Sequence, residues 1–296
     1  MAGEGSRRTR SPITALELSE KEQWRRDYRR TRARRSTIVA TVSTIAFAVV
    51  VWIGITHTPG WDDARTTFFS WDSIRHDTPD IARGMLLNLK ILVIGEACIL
   101  ALGLIVATLR TSAGAVLAPL RIFGGVYVDF FRGCPLIILL YLFGVGIPSL
   151  QLSWLPNSAT VWGTVAIILC YSSYVAEVFR AGIQSVHPSQ RAAARSLGLT
   201  HNQTLRLVVV PQAVRSVLPP LLNDFVALQK DVGLISIVGG ATDAIQQATI
   251  DNSLTFNFTP YVIAAVLFIL LAIPSGRIAD AVSARANRRQ RAGAVV

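Results

Sequence analysis

The sequence contains few of the residues, and none of the motifs, that catalytic chemistry usually requires. Its 296 residues include three cysteines and four histidines. Cys98, Cys134 and Cys170 all lie in apolar segments, which indicates buried side chains rather than a disulfide or a metal site. Neither a phosphate-binding G-x-x-x-x-G-K-[ST] loop nor a G-x-S-x-G nucleophile motif occurs. We therefore expect no catalytic residue, no metal and no ATPase site in the chain, and a membrane enzyme is the least favoured function.

The composition combines a high apolar content with a strong excess of positive charge. Hydrophobic residues make up 51% of the chain, and the formal net charge is +11. Binding to nucleic acid explains the charge but not the runs of about 20 apolar residues, each long enough to cross a bilayer. The sequence therefore predicts an all-α integral membrane protein without a nucleic-acid partner.

Six apolar segments predict about six transmembrane helices. They cover residues 37–56, 84–109, 122–147, 160–182, 217–239 and 259–276. The first segment carries no charge over 20 residues. It lies too far from the N-terminus, is too long and lacks the small-residue cleavage site expected of a secretory signal peptide.

The distribution of lysine and arginine predicts that both termini are cytoplasmic. Residues 1–35 contain 11 of these cations, the 110–121 loop contains two, residues 183–216 contain four, and the tail from Ser275 contains five. The opposite side has only Arg65, Arg75 and Arg83, in a 57–83 segment that we predict to be an external interfacial loop. Such a bias is the positive-inside pattern of multi-pass membrane proteins. The basic head, residues 1–36, is expected to contact anionic membrane lipid.

Ionisable residues within apolar spans are candidates for function because their burial in a membrane is costly. The repeated patterns "YVDFFRG" (Asp129, Arg132) and "YVAEVFRAG" (Glu177, Arg180) place an acid and an arginine three residues apart, where they can pair on one helix face. Structural ion pairs and contacts with a transported solute remain open alternatives for both.

The residues Lys230 and Asp231 are the preferred polar groups on a translocation path. They precede Gly233 well inside the fifth span, which begins with Pro219 and Pro220 in its first turn. A glycine beside charged residues at that depth predicts an interrupted helix, and such breaks occur where they line protein or a water-filled cavity. A structural Lys230–Asp231 pair is the alternative. Glu96, near the middle of its span, is a further candidate.

A short basic segment between the fourth and fifth spans contains signals for two capped helices. Ser189 is predicted to cap a helix that starts at Gln190, and Gly198 is a suitable stop. Thr200 and Gln203 form a T-x-x-Q capping box for a second helix, which we expect to end before Pro211. A linker without a structural role is not expected to carry capping signals for two successive helices.

These residues resemble the permease subunits of bacterial ATP-binding-cassette (ABC) importers of polar amino acids. The resemblance lies in "RAAARSLG", which matches the family's cytoplasmic E-A-A-x-x-x-G loop, and in "FRGCPLI", "YVAEVFRAGIQSV", "PQA" and "LPPLLNDF". It covers about two thirds of the chain, from Gly84 to the end of the last span. The stretch from residue 183 to residue 236 is the most specific part.

The resemblance implies a type I ABC importer permease core of five spans, residues 84–280, preceded by an extra span at 37–56 and followed by a basic tail, residues 281–296. In that family the loop, here residues 183–216, docks on a separate ATPase dimer, which binds ATP and Mg²⁺; this chain itself is expected to hold no cofactor. The coupling residues carried over are Gln190, Arg191, Ala192, Ala193, Ala194, Arg195, Gly198 and Leu199. A second permease chain, identical or related, and an extracytoplasmic solute-binding protein complete the expected assembly in the bacterial plasma membrane.

The sequence departs from the family pattern at several positions. Ala192 replaces the glutamate of the loop, Cys134 replaces a threonine, and Val232 and Gly233 replace two hydroxyl residues after Lys230–Asp231. These losses hint that a more typical sister chain forms the other half of the permease. Arg191 and Arg195 remain to contact an acidic rim of the ATPase.

The predicted solute is a polar L-amino acid, with glutamate, glutamine or aspartate favoured by the intramembrane cations. The residues expected to line its path are Glu96, Arg132, Glu177, Lys230 and Asp231. The alternative function is an ATP-independent channel or an ion-coupled secondary amino acid carrier, which has no need of an ATPase-docking loop.

Overall fold

A computed structural model describes residues 20–111 and 115–293, and these residues form helices and connecting turns without a β-strand. The chain divides into two compact units, Met1–Asp63 and Ala64–Val296. The first contains helix α1, Glu20–Thr56, in which the predicted span 37–56 continues directly from the basic head. The expectations placed on residues 1–19 lie outside the described residues.

The second unit contains the remaining helices. After α2 (Trp61–Phe68), which begins at the unit boundary, they are α3 (Trp71–Thr111), α4 (Ala118–Gly133), α5 (Leu136–Leu140), α6 (Ile147–Ser149), α7 (Ala159–Gln184), α8 (Pro188–Ser196), α9 (His201–Thr204), α10 (Val210–Asp231), α11 (Ala244–Thr255) and α12 (Thr259–Gly293). A π-helical stretch, Tyr141–Gly146, joins α5 to α6, and a second, Leu205–Val209, joins α9 to α10. A 3₁₀ helix, Val232–Val238, follows α10.

Within the part of the chain that the structure describes, four helical stretches are long and apolar enough to cross a membrane: Arg34–Thr56, Trp61–Thr111, Ala159–Gln184 and Thr259–Ala286. A fifth is obtained if the bent pair Ala118–Gly133 and Leu136–Ser149 is taken as one span. Helix α10 does not meet the same criterion, so the count of six spans stays a prediction. The all-helical class is confirmed, and helix α7 covers the predicted segment 160–182.

Several predicted boundaries were wrong because tertiary packing overrides local signals. The single span expected at 122–147 is bent by 104° between Gly133 and Leu136, where Pro135 cannot continue the helix. The segment 57–83 is largely helical rather than an irregular loop. Its Phe68 ring stacks on Phe258 at 5.4 Å.

The helix expected to end before Pro211 continues through that residue into α10, and Pro219 and Pro220 lie inside α10 rather than in a first turn. The π-helical stretch immediately before Val210 changes the backbone hydrogen-bond register, which accommodates a residue without an N–H. Prolines inside helices are tolerated in membrane proteins where neighbouring groups satisfy the freed backbone carbonyls.

The hydrophobic core lies where α3, α7, α10 and the bent pair meet. Its fully buried side chains include Leu92, Ile99, Leu139, Ile167 and Leu228. The glycine at position 103 permits the close packing of α3 on α7, because a Cβ atom there would stand 2.6 Å from Val175 Cγ1. Small residues at such contacts let helix backbones approach in a membrane.

A buried polar clamp fixes the start of α11 against α3. Asn88 Nδ2 donates to Asp243 Oδ2 at 2.9 Å and to the carbonyl of Val232 at 3.2 Å, while its Oδ1 accepts from the Ala244 amide at 3.1 Å. Asp243 also caps α11 by accepting from the Gln246 amide at 2.9 Å. Burial raises the pKa of the Asp243 carboxyl, although the hydrogen bonds from Asn88 and from the backbone act in the opposite direction.

We expect Gly84→Ala to destabilise this clamp by about 1–3 kcal/mol through overpacking. A Cβ atom on Gly84 would lie 2.6 Å from the Ala244 nitrogen and from the Asp243 carbonyl carbon. Because these are backbone atoms, no rotamer change relieves the clash. Thermal unfolding of the purified protein in detergent measures the effect.

The matched control is Gly125→Ala in α4, where an added Cβ meets nothing within 4 Å. Alanine in a helix interior is favoured over glycine by about 0.5–1 kcal/mol, so this variant should unfold at the wild-type temperature or above it. Equal stability of the two variants would contradict the proposed close approach.

Candidate functional site

A polar cavity of about 380 Å³ lies between α4, α5, α7 and α10. Its charged and aromatic lining comes from three of these helices: Arg132 from α4, Tyr171 and Tyr174 from α7, and Asp224 and Asp231 from α10. The break between α4 and α5 also contributes Gly133, Cys134 and Pro135. The volume is within the range of small-molecule sites, about 300–1,000 Å³.

The side chains around the cavity are held by specific contacts. The Tyr171 hydroxyl donates to Asp231 Oδ2 at 2.7 Å, and the Arg132 guanidinium carbon lies 5.5 Å from the ring centre of Tyr174. Asp224 Oδ2 is buried without a hydrogen-bond partner in the described part of the chain. A buried unpaired carboxylate oxygen is costly, so this atom is suited to receive a donor from a bound solute.

The structure brings together two of the five predicted path residues. Arg132 and Asp231 line the cavity, whereas Lys230 is exposed and does not belong to the lining. Glu96 is half-buried in α3 and lies within electrostatic range of Asp224. The predicted interruption after Asp231 is present as the change from α10 to the 3₁₀ helix at Val232.

Glu177 lies apart from the cavity, in an ion-pair network that joins α3 to α7. Its Oε2 accepts from Arg110 Nη1 at 2.7 Å, and both carboxylate oxygens accept from Arg180 Nε at 3.1 Å. Arg180 in turn donates to Gln184 Oε1 at 2.7 Å. Of the two predicted acid–arginine pairs, Glu177–Arg180 is therefore present.

The Asp129–Arg132 pair and the alternative Lys230–Asp231 pair are not among the ion pairs of the described residues. Arg132 lies over Tyr174 and forms no salt bridge with Asp129, and Asp231 bonds to Tyr171 rather than to Lys230. In each case an aromatic side chain on α7 supplies the contact. Residues Asp129 and Lys230 are both exposed within the described chain.

The predicted path residues do not include Asp224, Tyr171 or Tyr174. The sequence does indicate Asp224 as a candidate for function, since it is an ionisable residue within a predicted span. The two tyrosines are three residues apart and so share one face of α7. Which residues of α10 that face meets is not encoded locally, because Tyr171 and Asp231 are 60 positions apart.

The segment 183–216 contains the predicted first helix, α8, and the start of the predicted second helix, which continues into α10. Helix α8 begins at Pro188, and its cap is His187, whose Nδ1 accepts from the Ser189 amide at 3.2 Å; the predicted Ser189 cap was therefore wrong. Proline preorganises the first helical turn and needs no N–H there.

The predicted helix stop at Gly198 and the predicted Thr200–Gln203 capping box are both present in the structure. Gly198 has a φ of +86°, the left-handed conformation that favours glycine at a helix stop. The capping box is present in both directions, with the Thr200 amide donating to Gln203 Oε1 at 2.9 Å and the Gln203 amide donating to Thr200 Oγ1 at 3.3 Å.

Helix α8 presents one face to the protein and leaves the other exposed. Ala194 is buried, and Arg191 folds back so that its Nη2 donates to the Ile183 carbonyl at 2.5 Å. Leu199 is half-buried beside them. The exposed positions are Gln190, Ala192, Ala193, Arg195 and Gly198, together with Leu197, which is 85% exposed.

The comparison with known proteins agrees with this architecture. The family described as "Binding-protein-dependent transport system inner membrane component" matches residues 99–288. The probable glutamine ABC transporter permease GlnM of Bacillus subtilis is 36% identical over 173 residues, which are 58% of this chain and 77% of that protein. The glutamate/aspartate import permease GltK of Escherichia coli is 33% identical over 175 residues, or 57% and 77% of the two chains.

A solved structure of an amino acid ABC transporter with histidines is similar in fold, with a TM-score of 0.65 and 31% sequence identity. The match covers 73% of this chain and 98% of the solved one. With a family match over more than half of its length, the chain belongs to the binding-protein-dependent transport system inner membrane components.

Proposed function

We propose that this chain is the membrane-spanning permease of an ABC importer that takes up a polar L-amino acid. ATP hydrolysis in a separate ATPase dimer drives the transport, and a solute-binding protein delivers the amino acid from outside. The names of the relatives, a glutamine permease and a glutamate/aspartate permease, favour glutamine, glutamate or aspartate as the solute.

The observation that carries the proposal is the charge pattern of the polar cavity. Every L-amino acid has an α-carboxylate and an α-ammonium group. Arg132 on one side suits the carboxylate, and the unpaired Asp224 Oδ2 together with Asp231 on α10 suits the ammonium group. The cavity thus offers complementary charges from two different helices, whose relative movement would bind or release the solute.

Helix α8 is the proposed contact with the ATPase. Its outward face combines small alanines with Leu197, an exposed apolar side chain of the type that marks a protein interaction site. Ala192, where relatives of this type keep a glutamate, is exposed on the same face. The positive-inside pattern supports a cytoplasmic position for α8 and for both termini. A second permease chain, identical or related, completes the pore.

The test is uptake of labelled amino acids by the complex reconstituted in vesicles. We expect ATP-dependent accumulation of glutamine, glutamate or aspartate that requires the ATPase subunits and the binding protein. Uptake that proceeds without ATP hydrolysis would instead support the channel or ion-coupled carrier. Omission of each subunit in turn provides the controls.

A further inference from the structure

A second cavity, of about 500 Å³, lies where α3 and α7 end and where α4 and α8 begin. Three arginines line it: Arg110, Arg121 and Arg191. Among the described residues, none of those that line it is acidic. The Glu177 carboxylate, which pairs with Arg110 and Arg180, is not part of the lining. The described lining therefore carries positive charge, and the cavity is distinct from the polar cavity between the spans.

One of the arginines has a buried N–H group for which the described protein supplies no hydrogen-bond acceptor. Arg191 Nη2 donates to the Ile183 carbonyl, but its Nε is buried without a hydrogen-bond partner among the described residues. A buried N–H without an acceptor is unfavourable. An anion entering the cavity would supply acceptors to this guanidinium and to its neighbours.

The position of the cavity indicates where the anion comes from. Arg110 is the penultimate residue of the span Trp61–Thr111, Arg121 lies in the first turn of α4, and Gln184 is the last residue of the span Ala159–Gln184. Span ends lie at the level of the lipid headgroups. With α8 in the cytoplasm, the cavity opens at the inner leaflet, which carries anionic lipids.

We propose that this arginine cavity binds the phosphate of an anionic phospholipid from the inner leaflet. Guanidinium groups match phosphate oxygens with paired, charge-assisted hydrogen bonds. Because Arg191 belongs to the first turns of α8, a bound headgroup ties the proposed ATPase contact to the ends of the spans. Free phosphate offers the same oxygens, so the experiment must separate the two sources.

The test is native mass spectrometry of the full-length chain, purified with its partner subunits from mixed phosphatidylglycerol and phosphatidylcholine. The wild-type protein is expected to retain phosphatidylglycerol in preference to phosphatidylcholine, and Arg121→Gln is expected to reduce this retention at least about fivefold. Arg215→Gln removes an exposed arginine of the 183–216 segment outside the cavity, and it should retain lipid as the wild type does. Arg121→Lys, which keeps the charge, should retain an intermediate amount and shows that the position tolerates substitution.

Three results would overturn the proposal. The first is equal retention of phosphatidylglycerol by the wild type and Arg121→Gln. The second is release of the bound lipid by inorganic phosphate at millimolar concentration, which would assign the cavity to a soluble anion. The third is retention of the lipid by the permease purified without the ATPase subunits but not by the full complex, which would make the cavity part of the protein interface. Lipid retention is measured without transport, so it stands or fails independently of the proposed uptake activity.

Discussion

Leu197→Asp is expected to abolish ATP-driven uptake and to weaken the binding of the ATPase at least about 30-fold. The Leu197 side chain is 85% exposed and sits in the turn that Gly198 fixes at the end of α8. A central apolar side chain in a protein interface commonly contributes 2 kcal/mol or more, which is about 30-fold in affinity. An aspartate there would also carry an unpaired charge into the contact. Titration of purified ATPase subunits onto the permease in nanodiscs measures the affinity.

Val116→Asp is the matched control for this change. Val116 is 91% exposed in the turn before α4, and we predict this turn to lie on the same side of the membrane as α8. The same chemical change at that position should leave the affinity for the ATPase unchanged. If Val116→Asp weakens binding while Leu197→Asp does not, α8 is not the docking element. Because both side chains are exposed, neither variant should alter the thermal stability of the chain.

Arg132→Gln and Asp224→Asn are each expected to reduce uptake by roughly 10- to 150-fold without affecting ATPase binding. Each removes one charge-assisted hydrogen bond to the solute, and such bonds contribute about 1.5–3 kcal/mol. The Asp224→Asn change is nearly isosteric, and Asp224 Oδ2 has no hydrogen-bond partner within the described protein to lose. The initial rate of amino acid uptake at several solute concentrations separates weaker binding from slower turnover.

Lys230→Gln provides the comparison for these variants. Lys230 is adjacent to Asp231 in sequence, but it is exposed and does not line the polar cavity. The Lys230→Gln variant should therefore transport the amino acid at close to the wild-type rate. A large loss in Lys230→Gln together with normal uptake in Asp224→Asn would place the path elsewhere.

Features that depend on a few neighbouring residues could be predicted from the sequence. The stop at Gly198 and the Thr200–Gln203 capping box are local, and the structure contains both. The cap of α8 was misassigned because Ser189 and His187 both offer a side-chain acceptor near the first turn. Only the backbone geometry decides between them, and it selects His187.

Features that depend on long-range packing could not be predicted. Asn88 and Asp243 are 155 positions apart, and neither residue type indicates which residue it will contact in the folded protein. Likewise, the composition of "VYVDFFRGCPLIILLYLFGVG" indicates an apolar span but not the 104° bend within it. The bend places Gly133, Cys134 and Pro135 in the cavity wall. Because the bend was not predicted, these three residues were also absent from the predicted site.

The helical connection between α8 and the cavity has a mechanical consequence. From His201 to Asp231 the chain is helical without a break, first as α9, then through the π-helical stretch Leu205–Val209, and then as α10. At about 1.5 Å per residue, the helical segment from His201 to Asp231 is roughly 45 Å long. Asp224 and Asp231 lie near its far end, while its near end follows the turn that carries Leu197. A rotation that the ATPase imposed on the near end would thus be transmitted along this continuous helical segment to both carboxylates.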